Sequence, residues 1–117
     1  MPLTSIHACL VHVIITFLNH LVAPSISPEV MDQIINEGNN AFFSCQATGE
    51  PVPTINWYFN EYPLDEANIM KYIIDNNTLT IMSVESSDVD TYTCNATNVV
   101  STDSSSGVLT VNGELLL

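Results

Sequence analysis

Apolar and polar side chains alternate with a period of two in short runs along most of this chain, the pattern of strands that turn one face to a core and the other to solvent. In Ala41-Phe42-Phe43-Ser44-Cys45-Gln46-Ala47 the period sends Ala41, Phe43, Cys45 and Ala47 to one face and leaves Phe42 on the other. Thr54 to Phe59 buries Ile55, Trp57 and Phe59 and turns Asn56 and Tyr58 outward. Between these runs Gly49-Glu50-Pro51-Val52-Pro53 reads as a turn, because its two prolines cannot donate to a ladder. Asn60-Glu61 then turns the chain toward Tyr62-Pro63-Leu64, where Pro63 suits only a sheet edge. Met70 to Asp75 and Thr78 to Ser83 read as a hairpin about Asn76-Asn77, with Leu79 and Ile81 inward. Past Ser86-Ser87-Asp88, Thr91 to Thr97 carries Tyr92, Cys94 and Ala96 inward, and Gly107 to Val111 supplies a last strand with Leu109 and Val111 inside. No stretch keeps a helical period for longer than a turn. Roughly eight or nine short strands in ~90 residues is the arithmetic of an all-β, two-sheet sandwich.

The first 23 residues break this pattern. They hold no Asp, Glu, Lys or Arg, and Ala8 to Leu18 is an apolar run of the length of a secretory leader's core, too short for a membrane span of ~20 residues. Residues 1–23 are therefore expected to be a signal peptide, 24–112 one folded domain and 113–117 a short tail. A mis-assigned exon or a leader left uncleaved is the alternative. Removing the leader also removes Cys9, leaving Cys45 and Cys94 as an even pair suited to an oxidising compartment. His7, His12 and His20 leave with it, so the remaining domain lacks the imidazole of a Ser-His or Cys-His couple or of a His-ligated metal.

Charge narrows the partners. One Lys and no Arg stand against 13 acidic residues, a formal net charge of -12. Nucleic acid is excluded as a partner, since a polyanion is bound by Lys and Arg that displace its counterions. Acidic lipid surfaces are disfavoured for the same reason. Calcium finds no oxygen cage, because Asp75-Asn76-Asn77 lacks the Gly and distal Glu of an EF-hand loop. No cofactor, metal or catalytic constellation can be assembled from the residues, so the chain is read as non-enzymatic.

Cys45, Trp57 and Cys94 stand in the order and spacing of an immunoglobulin domain, and Asp88-Val89-Asp90-Thr91-Tyr92-Thr93-Cys94 resembles that family's D-x-G-x-Y-x-C. Gly49-x-Pro51-x-Pro53-x-Ile55-x-Trp57, Leu79-x-Ile81 and Cys94-x-Ala96-x-Asn98 resemble its intermediate, or I-set, type, as in neural adhesion molecules, hemicentin-like proteins and the ectodomains of receptor tyrosine phosphatases and kinases. The resemblance implies a Greek-key sandwich with a Cys45–Cys94 disulfide between the sheets, Trp57 packed on it, Leu79 in the core and Tyr92 as a tyrosine corner. It also implies a cation beside Asp88. Where the family uses Arg, Lys71 is the only candidate here, and an exposed pair would be worth within about 1 kcal/mol. Three positions depart from the family pattern: Asp90 and Glu61 replace small residues, and Ser101 stands where the last hairpin often has Gly.

What the resemblance implies about function is recognition of another extracellular or cell-surface protein, homophilic or heterophilic. Outward residues Asn56, Tyr58 and Thr93, with Asn95, Thr97 and Thr110 around them, are the candidate contact face, Tyr58 being the anchor. Asn76-Asn77-Thr78 and Asn95-Ala96-Thr97 are candidate N-glycosylation sites at Asn76 and Asn95. A passive spacer, or the first domain of a longer receptor, is the alternative reading. An intracellular structural domain would need neither leader nor disulfide.

Overall fold

The computed structural model describes residues 20–64 and 70–113. The apolar run Ala8 to Leu18, Cys9, His7, His12 and most of the 113–117 tail lie outside them. Among the described residues the strands are β1 (Val22–Ile26), β2 (Gln33–Asn36), β3 (Ala41–Ser44), β4 (Ala47–Glu50), β5 (Thr54–Phe59), β6 (Tyr62–Pro63), β7 (Tyr72–Asp75), β8 (Thr78–Ile81), β9 (Asp90–Thr97) and β10 (Thr102–Asn112). A 3-10 turn, Ser86–Asp88, precedes β9. One layer is the five-stranded sheet β2-β10-β9-β5-β6. The other is the three-stranded sheet β3-β8-β7, prolonged by the β1-β4 pair.

Period two sets which side chains meet. Ala41, Phe43 and Cys45 are buried while Phe42, between them, is 54% exposed. Cys45 of one layer is bonded to Cys94 of the other, 49 residues on. Around that bridge Phe43 stacks on Tyr92 at 5.2 Å between ring centroids and leans on Trp57 at 6.3 Å, and Phe59 reaches Tyr92 at 5.0 Å. Trp57, Leu79, Ile81, Val84 and Leu109 complete the core. Ile55, Phe59 and Val111 only flank it, half-buried, because they lie toward the ends of the sandwich rather than at its centre.

Four boundaries differ from the sequence reading, each for a physical reason. β1 starts at Val22, two residues inside the expected leader, where Val22 pairs with Glu50. The run Ala41 to Ala47 is not one strand: β3 pairs with β8, and the chain past Cys45 changes partner so that β4 pairs with β1. Gly49 is thus ladder rather than turn, and a Cβ there would sit 3.1 Å from Pro53 Cγ and 3.2 Å from the Val22 carbonyl. β2 runs parallel to β10, Gln33 opposite Leu109, and had no clear alternation to announce it.

The last strand is the largest difference, beginning at Thr102 rather than Gly107. Its inward positions Asp103 and Ser105 are polar because they stitch down the crossing segment between β1 and β2. Ile26 N–H donates to Asp103 Oδ2 at 2.8 Å, and Val30 N–H donates to Ser105 Oγ at 2.8 Å. Ser105 in turn donates to Glu29 Oε2 at 2.6 Å, and Val108 N–H donates to Asp32 Oδ1 at 2.8 Å. The crossing is so close that a Cβ on Gly107 would lie 2.8 Å from the Met31 carbonyl oxygen.

Candidate recognition surfaces

Three adjacent strands, β5, β9 and β10, form a plate whose outer face is read directly from their register. Tyr58, Thr93 and Ser106 make one cross-strand row, Asn56, Asn95 and Ser104 the next, and Thr54, Thr97 and Thr102 the third. The rows are tied side chain to side chain: Thr93 to Ser106 at 2.7 Å, Ser104 Oγ donating to Asn95 Oδ1 at 2.6 Å, and Thr97 to Thr102 at 2.8 Å. Asn56, Thr97 and Thr110 are exposed, whereas Tyr58, Thr93 and Asn95 are half-buried by their neighbours. Tyr58 and Thr93 stand directly opposite one another, so the expected contact residues are one patch. Ser104, Ser106 and Val108 also belong to it. Sequence reasoning missed them because the polar inward residues Asp103 and Ser105 hide the alternation of β10.

A second surface lies at the end of the sandwich where β1 begins and the β4–β5 and β9–β10 loops meet. Asn98 organises it. Its Nδ2 donates to the carbonyls of Val22 at 2.8 Å and Pro51 at 3.0 Å, while its Oδ1 accepts from Val100 N–H at 2.9 Å and more weakly from Ser101 N–H at 3.4 Å. This clasp leaves Val22, Val52, Val99 and Val100 exposed, Val52 and Val99 by 77% and 75%. Val22 and Val52 line an open cleft of about 410 Å³ with Ala47, Gly49, Glu50 and Pro53. Exposed valines on loop tips were not singled out from the sequence, since isolated apolar residues in a turn carry no period.

The opposite end is closed by charge. Asp88, 4% exposed, is met by Lys71 Nζ at 2.7 Å and accepts the Glu85 N–H at 2.8 Å. Lys71 also donates to the Ser83 carbonyl at 3.2 Å. The ion pair expected from the sequence is therefore not an exposed one: the Asp88 carboxylate is buried and Lys71 is half-buried, which raises what loss of the lysine would cost. Tyr92 donates from its hydroxyl to the Asp88 carbonyl at 2.8 Å, tying β9 to the 3-10 turn. Burial first, then the neighbouring Tyr72 and Asp88, pushes the Tyr92 phenol far above the ordinary tyrosine range. Tyr72 is pushed up as well, by burial first and by Asp88 second, against an opposing contribution from Tyr92. Of the three departures from the family pattern, only Asp90 occupies the glycine-favouring region, at φ 155°. Glu61 avoids it because Asn60 takes the left-handed angle of that turn, at φ 53°.

Among the described residues no group of three or more His, Cys, Asp or Glu could hold a metal ion. No helix among them is long and apolar enough to cross a membrane. A two-layer sandwich whose layers are joined by the Cys45–Cys94 disulfide beside a buried Trp57, with the Tyr92 hydroxyl bound back to the Asp88 carbonyl, has the architecture of an immunoglobulin-type domain. The sequence profile of the Immunoglobulin I-set domain matches residues 24–111, and the chain belongs to that family.

Relatives bear this out. Human Leucine-rich repeats and immunoglobulin-like domains protein 1 is 30% identical over 94 residues, which is 80% of this chain and 9% of that protein. Human Hemicentin-1 is 35% identical over 95 residues, 81% of this chain and 2% of its own length. Human Probable oxidoreductase PXDNL is 36% identical over 77 residues, 65% of this chain and 5% of that protein. The chain thus spans less than a tenth of each of these relatives. Among solved structures, titin Ig tandem domains A164-A165 match with TM-score 0.71 and 35% identity, over 79% of this chain and 48% of that one. Drosophila OTK extracellular domains 3-5 match with TM-score 0.74 and 28% identity, over 79% and 32%.

Proposed function

We propose that this chain is an extracellular recognition module that binds another protein, a second copy or a different cell-surface or matrix protein, and performs no catalysis of its own. The plate around Tyr58, Asn56 and Thr93 is its contact surface. The observation that carries this is the charge distribution. In a chain of net charge -12, none of the outward residues of β5, β9 and β10, from Thr54 to Thr110, is charged. A face of that kind can approach another protein without desolvating carboxylates, and a half-exposed tyrosine offers large area at little entropic cost. Its hydrogen-bonded rows hold the face in one shape before contact, which lowers the ordering cost of binding. Similarity to domains described as extracellular in OTK favours the location. Secretion directed by the apolar run Ala8 to Leu18 belongs to the same proposal, with Val22 and Ala23 kept in the domain as the start of β1.

The test is binding of the multimerised chain to beads coated with itself and to cells displaying surface proteins, with Tyr58→Ala alongside. Tyr58→Ala should weaken association by about 1 kcal/mol or more, the lower bound for a contact anchor. An unchanged affinity for Tyr58→Ala would move the contact to the valine-bearing loop end. No binding to any surface, with neighbouring domains restored, would leave a passive spacer.

A further inference from the structure

The two sequons occupy opposite kinds of site. Asn76 and Asn77 are the two residues of the β7–β8 turn, at φ 49° and 64°, and both are exposed. Such angles are strained for most side chains but tolerated by Asn, so the turn that displays Asn76 is the one its own residue type favours. The closing pair is Asp75 opposite Thr78, which puts the sequon's threonine on the first rung of β8. Among the described residues no hydrogen bond engages the Asn76 side chain.

Asn95 is the reverse. It sits in the middle of β9, which is paired on both sides, opposite Asn56 of β5 and Ser104 of β10. Its Oδ1 accepts the Ser104 hydroxyl at 2.6 Å, and it is half-buried. It is also the neighbour of Cys94, whose sulfur is bonded to Cys45. Once the sandwich has closed, this sequon is an extended segment with its backbone committed to two ladders, and it cannot be drawn into an enzyme's cleft without opening the sheet. The turn sequon is presentable both before and after closure.

We propose that Asn76 is the N-glycosylated residue of this domain and that Asn95 stays unmodified. In the transfer, Asn76 Nδ2 gives up one proton to a base of the transferring enzyme, and through it to solvent, and bonds to the anomeric carbon of an oligosaccharide carried on a lipid pyrophosphate. The bond from that carbon to the pyrophosphate oxygen breaks, and the lipid pyrophosphate leaves with the electron pair; nothing is oxidised or reduced. The proposal rests on the extracellular reading and deepens it. A sugar on the β7–β8 turn belongs to the layer opposite Tyr58 and leaves the uncharged plate free. A sugar on Asn95 would stand in the second row of that plate, beside Asn56, and close it.

The experiment expresses the full chain in a eukaryotic secretory line behind a heterologous cleaved leader, so that entry to the pathway does not depend on residues 1–23. Treatment with an amidase that converts glycosylated Asn to Asp, followed by peptide mass mapping, reads each site. Conversion is expected at Asn76 and not at Asn95. Thr78→Val, which removes the sequon while keeping the turn asparagines, should abolish the sugar-dependent mass shift, as should Asn76→Gln. Thr97→Val should leave that shift unchanged. Sugar on Asn95 of the secreted chain, or none on Asn76, overturns the proposal. Retention of the chain inside the cell with its own N-terminus, while the heterologous leader still yields glycosylated Asn76, counts against the extracellular reading alone.

Discussion

At one end of the sandwich a buried carboxylate, Asp88, is held by Lys71 Nζ at 2.7 Å and sits beneath the tyrosine corner of Tyr92. At the other a neutral amide, Asn98, gathers the carbonyls of Val22 and Pro51 and the N–H of Val100, with exposed valines around it. The Asp88 carboxylate has already lost most of its water, so removing the half-buried lysine strands that charge in the interior. Hydrogen bonds at the surface can be replaced by water, so their loss costs less and stays local. The first end therefore holds the fold, and the second can adapt to a partner at little cost to it. Binding loops are commonly drawn from such low-cost regions.

Breaking the charged end should have the largest effect. Lys71→Met removes the counter-charge of Asp88 and should destabilise the domain by about 3 to 5 kcal/mol in urea unfolding. The double substitution Lys71→Met with Asp88→Leu should recover part of that loss, since no orphan charge remains. If Lys71→Met alone cost under about 1 kcal/mol, the pair would be behaving as an exposed one.

Asn98→Ala tests the other end. It should cost about 1 to 2 kcal/mol, because surface hydrogen bonds are worth roughly 1 kcal/mol each net and water re-solvates the freed carbonyls. Hydrogen exchange should quicken at Val100 and Ser101 while the amides of β9 keep their protection. A global rise in exchange would show that the two ends unfold as one unit.

How far these ends were legible in the sequence follows from what kind of signal each sends. Cys45, Trp57, Leu79 and Tyr92 are apolar residues in period, and all four lie in the core. Lys71 could be matched to Asp88 because the family resemblance implies a cation there and the chain has only one. What stayed hidden depends on partners far away in sequence. Ser105 is inward and polar because it serves Val30, and the stretch from Thr102 to Ser106 falls outside the last strand in the sequence pattern for that reason. The change of strand partner after Cys45 depends on β1, which local alternation cannot reveal. The valine end was invisible because three separate segments meet there only after folding.

High pH should act on the charged end and spare the other. Tyr92 has a folded-state pKa raised above its unfolded value, so the stability it contributes is whole below about pH 10 and is lost as pH rises beyond that. Tyr72 shifts in the same direction and adds to it. Tyrosinate absorbance should show these phenols ionising together with unfolding. Their ionisation in a chain that remains folded would mean that the corner opens without the rest.

The smallest effect is a gain. Asp90 stands at the entrance to β9 with φ 155°, where the family's pattern has a small residue and where a Cβ is unfavourable. Its side chain recovers part of that cost, since Oδ1 accepts the Thr91 N–H at 2.9 Å and Oδ2 the Asn60 amide at a weak 3.4 Å. Asp90→Gly removes the strain and one negative charge from a surface that has too many, but it gives up those bonds and adds freedom to the unfolded chain. Strain of roughly 1 to 3 kcal/mol, set against an exposed hydrogen bond of about 1 kcal/mol and about 0.4 to 1 kcal/mol for the added freedom of glycine in the unfolded chain, leaves a net stabilisation centred on a few tenths of a kcal/mol. The urea midpoint should rise with an unchanged slope. A fall of more than about 1 kcal/mol would mean that the Asp90 to Thr91 bond outweighs the backbone cost, making the aspartate a built part of the charged end rather than a tolerated departure from glycine.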